Sequence, residues 1–457
     1  MFLEIRKQFP YHDNMNNKSF FPVVLSAGRG SRMKSKLPKT LHTLGGLPLI
    51  NHLYMMLKTA GGREPCLVTA PSMHEVREQS MFQVHAVQEK PLGTGNAVLS
   101  AEKEIEAAQS DVLILCGDTP LIQPETIKAS ISALQQHDVV ILGMRVAEDN
   151  TYGRIFLDDE GCVEKIVEAV DCADSNIDTD LCNSGIVVVK HQHILPLLKK
   201  IKKDAKSGEY YLTDIVQHAR DEGLRIGMLE VDHEELLGVN TQHDLACAEY
   251  IFQTHMRHKF LEAGVTMVDP ESVYFSYDTK VAPGVHIEPH VFFGLDVSIE
   301  AGVRVRAFSH LEGAKVANEA SVGPFARLRP GTYVGEGARI GNFVEIKKSD
   351  IQSGAKVSHL SYVGDAEVGQ NANIGAGTIT CNYDGKSKHK TKIGEGAFIG
   401  SNTALVAPVA VGEGAMVGAG STITEDVAPG DLSLTRAPQK TLKKWASKFF
   451  SSKKRKE

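Results

Sequence analysis

Short apolar runs alternate with helix-like stretches over the first half of the chain. Pro22-Val23-Val24-Leu25, Cys66-Leu67-Val68-Thr69, residues 111–116, Val139-Val140-Ile141-Leu142 and Gly185-Ile186-Val187-Val188-Val189 are apolar without alternation. That pattern suits strands covered on both faces by crossover helices. Between them, residues 49–59, 95–107 and 125–136 carry helical periodicity. The expectation up to about residue 243 is an α/β domain with a largely parallel sheet.

From about Val265 the spacing changes to a period of six. Val281, Ile287, Phe293, Ile299, Val305 and Leu311 form one series, and Val322, Leu328, Val334, Ile340 and Ile346 a second after a register shift. Ile393, Ile399, Leu405, Val411, Val417 and Ile423 form a third, often with glycine next, as in Ile399-Gly400. A period of six gives one short strand and one tight turn per face, and three faces close a triangular parallel β-helix. Residues 381–392 break the period and are expected to loop out. Residues 243–263 read as a connecting helix, with Leu245, Tyr250, Ile251, Phe252 and Met256 as its apolar contacts.

Composition narrows the function. A chain of 457 residues suits two or three domains. The formal charge of −6 leaves no basic excess for general nucleic-acid binding. Only the end, from Lys440 onward, is strongly basic. No apolar run approaches the roughly 18 residues that would span a bilayer, and the first residues lack the features of a secretory signal. The seven cysteines form no C-x-x-C pair. A cytoplasmic protein with free thiols and no membrane insertion is expected.

Two regions carry chemistry. Ser26-Ala27-Gly28-Arg29-Gly30-Ser31-Arg32 follows the first strand directly, and two glycines two apart let backbone N–H groups approach a phosphate. The dinucleotide fingerprint is excluded by Met33 at its third glycine, and no Walker spacing is present. Arg32 and Lys39 add two cations, which a polyphosphate needs as charge builds on leaving pyrophosphate. On the repeats, Arg327-Leu328-Arg329 and Glu345-Ile346-Lys347-Lys348 place cations where a sugar phosphate could dock. A lone histidine is structural by default. Beside such a pocket His359 becomes a candidate base, since neutral imidazole takes a proton near pH 7.

Here the residues carry a resemblance. Leu25-Ser26-Ala27-Gly28-Arg29-Gly30-Ser31-Arg32-Met33 with Leu37-Pro38-Lys39 resembles the signature of sugar-phosphate nucleotidyltransferases. Gln88 with Pro91-Leu92-Gly93-Thr94-Gly95-Asn96-Ala97 resembles the base-reading segment of the uridylyl-transferring members, and Cys116-Gly117-Asp118 their metal aspartate. Joined to the hexapeptide array, the chain is similar along almost its whole length to the bacterial bifunctional N-acetylglucosamine-1-phosphate uridyltransferase/glucosamine-1-phosphate acetyltransferase family.

The resemblance implies a Rossmann-like nucleotidyltransferase domain over residues 15–243, with 1–14 as an extra segment. A linker helix over 244–264, a left-handed β-helix over 265–435 and a basic tail over 436–457 would follow. It implies Mg²⁺ on Asp118 and Asn240, catalytic cations at Arg32 and Lys39, and UTP contacts at Ala27, Gly28, Gln88, Gly93 and Thr94. Gly153, Glu168 and Asn183 would meet the sugar. The phosphate of N-acetylglucosamine 1-phosphate would attack the α-phosphorus of UTP in line. On the β-helix, His359 would deprotonate glucosamine 1-phosphate for attack on acetyl-CoA. Arg329 and Lys347 would hold its phosphate, Tyr362 and Asn373 its sugar. Ala376, Asn382, Tyr383, Ser401 and Ala419 would line the acetyl-CoA groove, with Arg436 at the entrance to the tail. The family's homotrimer shares that groove between subunits.

Cys116 stands where the family often has tyrosine, and an exposed thiol there would make the first site sensitive to thiol reagents. Two rival functions share these motifs. A nucleotidyltransferase whose β-helix is regulatory or only assembles subunits is disfavoured by His359, Asn382-Tyr383 and the cationic coils together. A non-catalytic assembly subunit is disfavoured by Arg32, Lys39, Asp118 and Asn240.

Overall fold

The computed structural model describes residues 19–146, 150, 152–168, 179–205 and 207–453; the extra segment expected at 1–14 lies outside them. The chain forms two compact units, Met1–Thr254 and His255–Glu457.

The first unit is built on a nine-stranded sheet. Its strands are β1 (Phe21–Ser26), β2 (Cys66–Thr69), β3 (Val84–Val87), β4 (Val112–Cys116), β5 (Val139–Arg145), β6 (Arg154–Leu157), β7 (Val163–Val167), β8 (Leu181–Val189) and β9 (Ile226–Glu230). The order is β9-β5-β8-β4-β1-β2-β3, with the β6–β7 hairpin joined to β8. Adjacent residues of one strand face opposite cores, as the pleat requires: Val23 and Ile114 pack on one side, Val24, Leu113 and Leu115 on the other. Helices α1 (Leu49–Thr59), α2 (Pro124–Ala133) and α3 (Gln242–Glu262) meet the expected helical segments.

Two expectations are revised. The run at 185–189 is the second half of the longer β8, which lies antiparallel between β4 and β5. Its register slips between Asn183 and Val187, where Gly185 sits at φ 78. An apolar run says that a strand is buried, not which way it runs. The segment at 95–107 is two helices, Thr94–Leu99 and Glu102–Ala108. Ser100 breaks it by turning its hydroxyl back onto the Asn96 carbonyl, 3.0 Å away.

The second unit is a left-handed β-helix of three parallel sheets with ten, eight and eight strands. Most strands are two or three residues long, and an inward aliphatic side chain stacks coil upon coil. Ile287, Val305, Val322, Ile340, Val357, Ile374, Ile399 and Val417 form one such stack, all essentially inaccessible. Each contributes about 1.5–3 kcal/mol by leaving water. The slip after Leu311 has a simple cause. Ile299 pairs with Val316, so one face of that coil is a residue short. The out-of-period segment does loop out, between the strands Ile379–Cys381 and Thr391–Ile393. One corner is held by residues in the left-handed region: His290, Phe308, Phe325, Phe343, Leu360, then Gly377, Asn402 and Gly420.

Candidate active sites

In the first unit the loops after β1, β3 and β4 leave the carboxyl ends of parallel strands, where ligands gather in open α/β sheets. Gly30 lies at φ 70, and a Cβ there would stand 2.5 Å from Lys39 Cβ, so only glycine lets the lysine cross beneath the loop. Lys39 donates to Asp118 Oδ2 in an ion pair and to Asn240 Oδ1 at 3.0 Å. Arg32 Nη2 donates to the same Asn240 oxygen at 2.9 Å. Asn240 is held from behind: the Asp118 carbonyl accepts from Val239 N at 2.8 Å. Asp244 Oδ2 takes the N–H groups of Asn240 and Thr241, while Thr241 Oγ1 accepts from Asp244 N, a capping box that starts α3.

Thus one carboxylate and one amide oxygen clasp a single ammonium. This donor set fits a hard cation such as Mg²⁺, which takes few protein oxygens and keeps most of its waters.

Beside it opens a cleft of about 290 Å³ lined by Thr94, Gly153, Glu168 and Asn183, four of the expected residues. Tyr152, Ser184, Gly185, Tyr211 and Thr213 also line it and were not anticipated. The β8 irregularity builds this wall: Asn183 N donates to Gly153 O at 2.8 Å, and Ser184 Oγ to Leu142 O at 2.7 Å. A glycine inside an apolar strand was the available signal for it. Thr213 Oγ1 fixes Glu168 at 2.7 Å. Gln88 is buried and spends both amide hydrogens on Gly93 O and Asn96 Oδ1, each at 3.0 Å. Gly93, at φ 97, is pressed against Tyr210, whose oxygen would lie 2.6 Å from a Cβ. Ala27 and Gly28 lie in the loop after β1, and a Cβ on Gly28 would meet nothing.

Cys116 lines the cleft, but burial, reinforced by the Asp118 carboxylate, pushes its thiol up to about 12. Cys116 is only half-buried, so access to the thiol remains, and what works against reagent sensitivity is the scarcity of its thiolate.

On the β-helix the expected residues fall into two neighbouring groups. Arg329 and Lys347 occupy the same position on successive coils of one face. Arg329 Nη1 donates to Glu345 Oε1 at 2.8 Å, and Lys347 Nζ lies 3.7 Å from Asp365 Oδ2. Asn382 Nδ2 donates to the same Asp365 oxygen at 2.5 Å and to Tyr362 Oη at 3.4 Å. A Cβ on Gly364 would stand 2.4 Å from the Tyr362 hydroxyl, so glycine there is what lets these groups meet. Lys388, from the looped-out segment, joins them unannounced. The Lys347 ammonium beside it holds Lys388 below the usual lysine range. Two cations sharing one carboxylate leave a place for an anion.

Around the corner from Tyr362, His359 heads a column continued by Ala376, Ser401 and Ala419, linked through Gly377 N to His359 O, Asn402 N to Ala376 O and Gly420 N to Ser401 O. Arg436 Nη1 donates to Ala419 O at 2.8 Å, ending the column in a cation. Asn373 lies on the same face as His359, one coil on, paired with Lys356. Tyr383 is exposed, its hydroxyl on Gly385 O at 2.7 Å. The residue beneath His359, Asn342, was missed, although stepping back one coil from His359 would have found it.

Two sequence families match this chain: the MobA-like NTP transferase domain over residues 22–209 and the bacterial transferase hexapeptide (six repeats) over 390–425. Among curated relatives, the "Bifunctional protein GlmU" of Jannaschia sp. (strain CCS1) is 47% identical over 85% of this chain and 86% of its own. Its namesake in Zymomonas mobilis subsp. mobilis is 43% identical over 96% and 99%. That of Azorhizobium caulinodans is 46% identical over 95% and 98%.

Proposed function

The chain belongs to the GlmU family of bifunctional proteins, and from that premise we propose which residues carry its two reactions. It acetylates glucosamine 1-phosphate from acetyl-CoA, then transfers a uridylyl group from UTP to N-acetylglucosamine 1-phosphate with release of pyrophosphate. The product, UDP-N-acetylglucosamine, feeds cell wall synthesis.

Uridylyl transfer belongs to the first unit. The observation that carries its residue assignment is the Asp118–Lys39–Asn240–Arg32 cluster beside the cleft. Asp118 and Asn240 would hold Mg²⁺, which when bound supplies charge neutralisation on the phosphates. Lys39 and Arg32 meet the negative charge that grows on the leaving pyrophosphate. The N–H groups around Ala27 and Gly28 receive the polyphosphate. With its N–H groups committed, Gln88 offers an oxygen, which pairs with the ring N–H of uracil and not with the bare nitrogen of cytosine. Gly93 and Thr94 close over the base, while Gly153, Glu168 and Asn183 take the sugar. The attacking phosphate is already ionised, so positioning supplies most of the rate.

Acetyl transfer belongs to the β-helix. Arg329, Lys347 and Lys388 receive the sugar phosphate, with Tyr362 and Asn373 on the sugar. The acetyl-CoA arm runs along Ala376, Ser401 and Ala419, bordered by Asn382 and Tyr383, toward Arg436. The amine nitrogen bonds to the acetyl carbon as His359 Nε2 takes its proton. The C–S bond breaks and the departing thiolate receives that proton.

The homotrimer is supported by an exposed apolar stripe. Phe308, Phe325 and Phe343 stack at 4.9 and 5.0 Å between ring centroids along the corner beside the acetyl-CoA column, and are 45–54% exposed. Aromatic residues held in the left-handed region and left in water need a partner surface to repay both costs. A second copy, seated there, would also complete the groove. A cytoplasmic location matches the two co-substrates. Among the described residues, no helix is long and apolar enough to cross a membrane.

The test is pyrophosphate release from UTP and N-acetylglucosamine 1-phosphate alongside thiol release from acetyl-CoA. Asp118→Ala should abolish the first and His359→Ala the second, each sparing the other. Near-normal turnover in either variant at its own reaction would undo that assignment.

A further inference from the structure

We infer that Asn342 positions the acetyl-transfer base, an inference that rests on His359 being that base. Asn342 and His359 are register partners on adjacent coils. The coils are pressed together immediately before them, since a Cβ on Gly341 would stand 1.9 Å from Ser358 O. Leu360 N donates to Asn342 O at 3.1 Å and ties the backbones just beyond. Between those two points the side chains rise side by side, and His359 Nδ1 meets Asn342 Oδ1 at 2.6 Å.

An amide oxygen can only accept, so His359 carries its proton on Nδ1 and keeps the lone pair on Nε2. That is the tautomer a base needs. The opposite tautomer would point an N–H at an incoming amine. When Nε2 takes the proton, the same hydrogen bond strengthens onto the imidazolium. Asn342 therefore acts through His359 and does not itself touch substrate.

Its neutrality matters as much as its oxygen. The charged side chains on the strands packed against His359 are Arg339 and Lys356, in register with each other and three positions before Asn342 and His359. The next strand begins with the neutral Asn373. Round the corner stand Tyr362 and Glu345, and Glu345 is committed to Arg329. Among the described residues no carboxylate pairs with His359. The orienting group is thus an amide where many histidine bases have a carboxylate. It fixes the ring without the coulombic pull that would hold the proton on it.

The experiment compares Asn342→Ala and Asn342→Asp with the unaltered full-length protein by thiol release across pH, with uridylyl transfer by the same samples as the control for folding. Asn342→Ala should lower kcat by about 10- to 100-fold, the worth of one hydrogen bond to a group that becomes charged. KM values for both substrates should stay within about twofold. Asn342→Asp restores an acceptor, so it should recover much of kcat while the acidic limb of the kcat/KM profile moves to higher pH by about one unit. Unchanged kcat in Asn342→Ala, a change confined to KM, or an unmoved acidic limb in Asn342→Asp would overturn the inference. His359→Ala separates the two layers, because retained acetyl transfer there would remove the base reading itself.

Discussion

The two units make their sites in opposite ways. In the α/β unit the chemistry is gathered from afar: Arg32 bonds Asn240 from 208 positions away, and Lys39 reaches Asp118 across 79. Arg32 and Lys39 sit in the segment after β1, Asp118 after β4 and Asn240 after β9, and the sheet brings these three segments to one edge. In the β-helix the polar partners are neighbours by period. Asn342 lies 17 positions from His359 and Asn382 the same distance from Asp365. The first site is therefore a property of topology and the second of the repeat. Charge differs too. Lys39 is balanced by Asp118, as suits a place that exchanges a cation, whereas Lys347 and Lys388 share one carboxylate and await an anion.

The sharpest way to break this division is Lys39→Ala. It should reduce pyrophosphate release by at least about a thousandfold, because a donor aimed at developing charge is lost. Thiol release should stay within about twofold, since the ammonium's partners, Asp118 and Asn240, both belong to the first unit. Loss of both activities in a folded protein would show that the units do not work separately. The mirror variant, His359→Ala, should cost acetyl transfer about 10²- to 10⁴-fold and leave uridylyl transfer intact.

A smaller effect tests whether the repeat site, unlike the loop site, needs a neighbour. Phe325→Asn combined with Phe343→Asn removes the stripe while placing a residue that tolerates the left-handed region. The expected result is a smaller particle by sedimentation, a raised KM for acetyl-CoA and normal uridylyl transfer. An unchanged particle would mean that the stripe is not the contact surface.

The same contrast decides what could be read from sequence. The period of six was enough for the β-helix, down to the loop after Cys381, because one coil repeats the physics of the next. The glycine loop suggested a phosphate only in the company of Arg32 and Lys39, and Asp118 entered through the family resemblance alone, because a lone aspartate after a strand has no pattern of its own. The direction of β8 was not legible, because Val187-Val188-Val189 is equally apolar whichever way it runs. Tyr152 and Thr213 were missed for a related reason: each enters the cleft from an element whose place depends on that strand. Lys388 looked like one of several lysines in a basic loop until the fold set it beside Lys347. Asn342 was different, for it lay one coil behind a residue already singled out.

Cys116 supplies the smallest expected effect, and it bears on the loop site alone. Its position in the cleft suggests vulnerability, yet burial holds the thiol at about 12. Against an ordinary cysteine near 8.5, the thiolate at neutral pH is scarcer by roughly three thousandfold. Iodoacetamide at pH 7.5 should therefore leave pyrophosphate release within about twofold over a time that alkylates a free thiol fully. Raising the pH toward 10 should speed any inactivation, since each unit brings about ten times more thiolate. Rapid loss at pH 7.5 that Cys116→Ser prevents would mean that the thiol ionises readily. The wall of the cleft behind Asp118 would then be wetter than its packing indicates, and the ammonium clasped by Asp118 and Asn240 would be exchanging with solvent and not held apart from it.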